Sequence, residues 1–212
     1  MDWNNFLNRF AGQPLFHSSM LDVFPDPPAH RQVQLSRWTK AGKLSQVCRS
    51  WYIIEKPWRK HETPLPVIAN SVVHPSYLSL DWALQYYDMI PEHVPNPTSI
   101  TTGRGTQFEA QGALFLYYHV QPSFFKGYRQ DMVGGFKVNI AYPEKALLDK
   151  IYLFLQRNPF SLSWLEELRL QELDAFDIHR FEAFASGLRK KKARAAVIET
   201  CRYISHLKGE LQ

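Results

Sequence analysis

Apolar residues at the start of the chain recur at helical spacing. Trp3, Phe6, Leu7 and Phe10 share one face of a helix predicted over residues 2–10, which Gly12 and Pro14 end. Met20, Leu21, Val23 and Phe24 predict a second short helix within residues 16–24, with Ser18 or Ser19 as its N-cap. The segment PDPPAH, residues 25–30, holds three prolines and predicts a non-helical turn. Residues 30–54 then read as a helix, a glycine stop and a hairpin. At about 100° per residue, Leu35, Trp38 and Thr39 gather on one side of that helix. Ser36, Arg37 and Lys40 lie opposite, with Val33 the apolar residue among them. Lys40 in the last turn and Gly42 just after it are what a helix C-terminus asks for. Residues 44–47 and 51–54 are β-favouring runs around Cys48, Arg49 and Ser50.

Residues 57–66, PWRKHETPLP, are polar and bounded by prolines, and predict a domain boundary. Beyond them, Tyr77, Leu78, Leu80, Trp82, Ala83, Leu84, Tyr86 and Tyr87 predict a helix that Ser79 caps and Pro91 follows. Residues 99–102 and 113–120 are strand-like, and Gly103–Gly105 form a turn. Residues 134–141 alternate Phe136, Val138 and Ile140 with Lys137 and Asn139, the pattern of a half-buried strand. Pro143 suits the first position of a helix, with Glu144 in its first turn and Ala146, Leu147, Ile151 and Leu155 as its stripe. From Phe160 onward three helices are predicted, over residues 162–168, 178–187 and 190–207. The expected fold class is α+β in three parts. Residues 1–57 form a helix–hairpin module, 67–158 an α+β domain with a small mixed or antiparallel sheet, and 159–212 helices packing on that domain.

At 212 residues, with 45% hydrophobic and 21% charged positions, the composition is that of a globular protein and excludes disorder. No apolar run approaches a membrane span, and MDWNNFLNRF lacks a signal-peptide core. A soluble, cytoplasmic protein with no membrane partner is expected. Cys48 and Cys201 form no CxxC, so neither a disulfide framework nor a zinc site is expected. The net charge of +5 is uneven: residues 1–60 carry nine Lys/Arg against four Asp/Glu, while 61–155 carry six against eight. A basic module joined to a near-neutral one points to nucleic acid as the partner of the first.

Two helices, then a helix with a basic outer face closed by a hairpin, are the layout of a winged helix-turn-helix on double-stranded DNA. On that reading Gln32, Gln34, Ser36 and Arg37 meet base edges, Gln and Arg being able to bond adenine and guanine bidentately. Arg31, Lys40, Lys43, Arg49 and Lys56 hold phosphates, and Arg59 and Lys60 either join them or sit in a solvated linker. The run RKKKAR (Arg189, Lys190, Lys191, Lys192 and Arg194) opens the last helix, where cations oppose the macrodipole. It marks either a patch for an anionic partner or a solvated helix start.

Catalytic chemistry finds little footing. Glu144, Lys145, Asp149 and Lys150 have the residue types of a metal-dependent nuclease site, which keeps that enzyme as an alternative. Glu144 and Lys145 point about 100° apart on a helix, however, which favours a helix-start role for the first and a solvated or salt-bridged second. The eight histidines never pair at i, i+4, Ser18 and Ser79 lie in no G-x-S-x-G, and GRG at Gly103–Gly105 lacks the rest of a phosphate loop. No catalytic residue, metal or cofactor is expected. A non-enzymatic module binding protein or RNA is the other alternative.

Two stretches, YLSLDWALQYYDMIPEHVP (77–95) and KVNIAYPEKALLDKIYL (137–153), resemble segments of the AbiEi-type antitoxins of type IV (AbiE) toxin–antitoxin systems. Phe125, Gly127 and Tyr128 fit the family's F-x-G-Y between them. GKLSQVCRSWYII resembles its wing, G-x-L-x-x-x-x-R-G-x-Y, with Ser50 where glycine is usual and allows a positive φ. The resemblance covers roughly residues 30–155. It implies an N-terminal winged helix that binds inverted repeats in its own promoter and represses the operon. It also implies a C-terminal antitoxin domain that counters a nucleotidyltransferase-like toxin, linked to phage abortive infection, without a stable complex. A monomer in solution, or a dimer on DNA, follows from the same reading.

Overall fold

Asp2 opens the first helix, α1 (Trp3–Phe10), by accepting the amide of Asn5 at 3.0 Å, and the helix buries Phe6 and Phe10. The computed structural model, which describes residues 1–209, then departs from the helix expected over residues 16–24. Phe16–His17 form strand β1, and Ser18–Val23 a 3-10 helix. The imidazole of His17, not Ser18 or Ser19, caps it by accepting the Ser19 amide. The expected turn at residues 25–30 is also shorter than read. Helix α2 (Pro28–Lys40) begins inside it, because Pro28 sits at the first position, where its missing N–H costs nothing. Strands β2 (Leu44–Cys48) and β3 (Trp51–Ile54) follow as an antiparallel hairpin, and β1 pairs with β3 on its far side, giving the order β1-β3-β2.

Helix α3 (Leu65–Val72) leads out of the proline-bounded segment into a second, six-stranded sheet. Its strands are β4 (Ser76–Leu78), β5 (Thr98–Thr101), β6 (Thr106–Ala110), β7 (Ala113–His119), β8 (Tyr128–Val133) and β9 (Phe136–Ala141), in the order β6-β7-β5-β4-β9-β8. The sheet is mixed: β4–β9 and β5–β7 are parallel, and β4–β5, β6–β7 and β8–β9 antiparallel. It is wider than the small sheet expected, because β6 and β8 are edge strands whose mostly exposed side chains show no clear alternation. Tyr77 and Leu78 belong to β4 and not to the helix, α4 (Leu80–Tyr86), that follows. Helices α5 (Pro143–Phe154), α6 (Leu162–Glu167), α7 (Ile178–Ala185) and α8 (Lys191–Leu207) complete the α+β chain. Among the described residues, no helix is long and apolar enough to cross a membrane.

Two apolar clusters hold these elements. The smaller is aromatic and lies between α1, α2 and the three-stranded sheet; Phe6 packs its ring on Phe16 (5.2 Å) and Trp38 (4.9 Å). The larger joins the six-stranded sheet, α5, α7 and α8, and takes in Leu15, Val47 and Ile53.

In the larger cluster a polar knot is fully buried. Lys145 and Asp149, one turn apart on α5, form an ion pair. The other carboxylate oxygen of Asp149 accepts from Tyr77 Oη (3.0 Å) and Ser79 Oγ (2.7 Å). Ser79 stands at the N-cap position of α4, yet its hydroxyl makes no cap because it is committed to Asp149. Burial pulls the Lys145 ammonium down and the Asp149 carboxyl up, and their mutual attraction opposes both shifts.

Removing one partner leaves the other charge buried and alone. Asp149→Ala is therefore expected to destabilise the protein by about 3–5 kcal/mol. Urea unfolding measures this; a loss below about 1 kcal/mol would show that the pair carries no such weight.

Candidate nucleic-acid interface

The outer face of α2 is the first candidate. Leu35 and Trp38 bury the inner face against the aromatic cluster, so Gln32, Val33, Ser36, Arg37 and Lys40 are exposed. Gln34 lies at the flank and is half-buried, which separates it from the other three residues expected to read bases. His30, not among the residues expected to read bases, is exposed seven residues before Arg37 on the same face. The helical wheel alone carries that signal. Val33 is 47% exposed between Arg37 and Lys40, an apolar residue with no covering side chain.

The hairpin fixes where this helix looks. On β3, Tyr52 and Ile54 face the aromatic cluster, while Ile53 points the other way and joins Val47 and Leu15 in the larger core. The three-stranded sheet therefore has α2 on one face and the six-stranded domain on the other. Gln111, in the β6–β7 turn, donates to Ser45 Oγ of β2 at 3.2 Å and reinforces that contact. The outer stripe of α2 is left to solvent.

Arg49 and Ser50 make the hairpin turn. Ser50 adopts φ +68, so the left-handed backbone expected of a glycine is kept by a serine. Its carbonyl accepts the Ser18 amide at 2.8 Å, which ties the turn to the 3-10 helix.

The seven cations expected on phosphates divide into two groups. Lys40, Arg49 and Lys60 are exposed and in no ion pair among the described residues, and Arg37 shares that state. Arg31, Lys43, Lys56 and Arg59 have internal partners. Arg31 donates to the carbonyls of Phe24 (3.1 Å) and Asp26 (2.7 Å), pairs with Asp22, and keeps only 13% of its side chain exposed. It is a brace for the chain entering α2. The Lys43 ammonium lies over the rings of Trp3 (4.8 Å) and Trp58 (5.7 Å). Lys56 and Arg59 share the Glu62 carboxyl, held below its ordinary value chiefly by the Lys56 hydrogen bond. The Lys56 contact is exposed and weak enough for a phosphate to displace, whereas Arg59 keeps only 14% of its side chain exposed.

The carboxylate–lysine set of α5 has another geometry. Glu144, Lys145 and Asp149 are all fully buried. Glu144 turns away from Asp149, accepting the Asp177 amide at 2.8 Å and a contact from Arg180 at 3.4 Å. Among the described residues no three His, Cys, Asp or Glu side chains are grouped to hold a metal. The basic run before and into α8 is exposed at Arg189, Lys190, Lys191, Lys192 and Arg194, far along the chain from α2.

Arg31→Ala is expected to cost about 1–3 kcal/mol of folding stability through the lost charged hydrogen bonds. Arg37→Ala, with no internal partner, is expected to stay within about 0.5 kcal/mol. Parallel urea titrations check the contrast, and equal losses would contradict it.

Compared with models of known protein families and with curated proteins, the chain matches none.

Proposed function

We propose that this protein is a sequence-specific DNA-binding regulator that represses its own operon, and an antitoxin resembling those of AbiEi type. The observation that carries the reading is the arrangement of the first 54 residues. A helix, a strand, a helical turn, a second long helix and a hairpin are joined by a sheet of order β1-β3-β2. That order of elements supports a winged-helix reading, and the long helix α2 offers an exposed stripe with Arg37 and Lys40. Arg37, Ser36 and Gln32 read bases in this proposal; Lys40, Arg49 and Lys60 hold phosphates. Arg31 and Lys43 support the fold instead, and Gln34 lies half-buried at the flank of the stripe. The nuclease alternative loses its footing because Glu144, Lys145 and Asp149 are sealed from solvent and Glu144 faces away from the other two.

The test is a gel shift of the purified protein on its own upstream DNA and a scrambled control at two salt concentrations. Tighter binding to the upstream fragment that survives moderate salt is expected. Arg37→Ala should weaken it by about 1–3 kcal/mol and relax preference at one base position. Equal binding to both fragments, collapsing with salt, would sink the regulator reading. For the antitoxin half, co-expression should restore growth arrested by a nucleotidyltransferase-like toxin encoded next door, with no complex recovered on purification.

A further inference from the structure

Two clefts, of about 420 and 740 Å³, open side by side between the segment after β7 and the start of α8. They share Gln121, Tyr152, Lys190 and Ala193, and so form one groove. Lys126, Arg189, Lys190, Lys192 and Arg194 line it, and no carboxylate does. Lys192 and Arg194 donate to the carbonyls of Leu155 (2.6 Å) and Leu188 (2.9 Å), which fixes their positions and leaves their charges uncompensated. Lys126, Arg189 and Lys190 enter no ion pair among the described residues. Five cations strung along a concave surface repel one another, and an anion with several charges in a row relieves that repulsion.

The groove also has an aromatic wall. Tyr152 lines both clefts, is half-buried, and stacks on Phe124 with ring centroids 4.4 Å apart. The Lys145 ammonium, paired with Asp149, lies 3.8 Å from the centroid of Phe124 and backs the wall with a cation–π contact. A basic track beside a supported aromatic ring is how proteins take single strands, whose bases are free to stack. A duplex keeps its bases inside and offers none to Tyr152.

We propose that this groove binds single-stranded nucleic acid, with Lys126, Arg189 and Lys190 on successive phosphates and a base against Tyr152. The site uses no residue of α2 and stands or falls apart from the promoter-binding reading.

The probe is a fluorescein-labelled oligouridylate of roughly 12 nucleotides, within the span of known single-strand sites, titrated with the full chain by anisotropy. In Arg189→Ala/Lys190→Ala, affinity should fall about tenfold or more, and the slope of log K against log salt should flatten by about 1.4, two phosphates at about 0.7 each. Tyr152→Leu should weaken binding without changing that slope, with circular dichroism checking that it folds; the exposed double variant decides the matter if it does not. Arg37→Ala should bind the oligonucleotide as the wild type does. The proposal is overturned if the wild type does not bind, if the double variant binds equally, or if Arg37→Ala removes binding. Displacement by polyglutamate as readily as by unlabelled oligouridylate would also overturn it, in favour of an acidic peptide.

Discussion

Burying a lysine and an aspartate costs several kcal/mol per ion, and the cost is offset only when every oxygen and proton finds a partner. Asp149 meets that condition through Lys145 on one oxygen and Tyr77 and Ser79 on the other. The knot therefore fixes α5 against β4 and the start of α4. The Phe125–Tyr128 turn closes round it: Tyr77 packs between Phe125 and Tyr128, at 5.0 and 4.7 Å. Gly127, at φ +77, leaves room where a Cβ would lie 3.0 Å from the Phe184 ring and 3.1 Å from Lys145. Residues 77–79, 125–128 and 145–149 thus converge on this one place. Their chemistry here is that of a core, since none of its charges reaches solvent.

That core extends to the N-terminal module. With Val47 and Ile53 in the larger cluster and Tyr52 and Ile54 in the smaller, the hairpin is shared by two apolar layers. The module is not a bead on a loose string. Thr63 Oγ1 donates to the Pro14 carbonyl at 2.6 Å, and the Lys60 amide to the Ala11 carbonyl at 3.1 Å, so the polar segment lies along the N-terminal module. Because the six-stranded domain covers the sheet from behind, the α2 stripe is the accessible face, which is what the proposed DNA contact needs.

Charge divides the cations by what surrounds them. Arg31 and Lys43 sit where carbonyls or indole faces already satisfy them, and their positive charge serves folding. Among the described residues, Arg37 and Lys40, on α2, and the groove cations before and along α8 have no acidic partner. The same net charge of +5 thus resolves into two separate basic surfaces on opposite parts of the chain.

Much of the architecture is legible in the sequence because periodicity and stop signals are local. The helices at α1, α2 and α5, the hairpin after Gly42 and the strand before Pro143 follow from apolar spacing, caps and proline positions that need no distant partner. β6 and β8 carry no clear sequence signal because they are edge strands, where side chains such as Glu109, Arg129 and Gln130 remain in water and the alternation fades. β4 is not separable from the helix after it by pattern, because three buried residues are too few to show a period. Sequence spacing also set out the outer stripe of α2 and the RKKKAR run. Which arginine is free and which is a brace was decided only by tertiary structure, since Asp22 and two carbonyls reach Arg31 through a turn no periodicity describes. Tertiary structure alone also decided that Lys145 is buried and that Tyr152 stands beside the basic run, because those neighbours meet through packing across the chain.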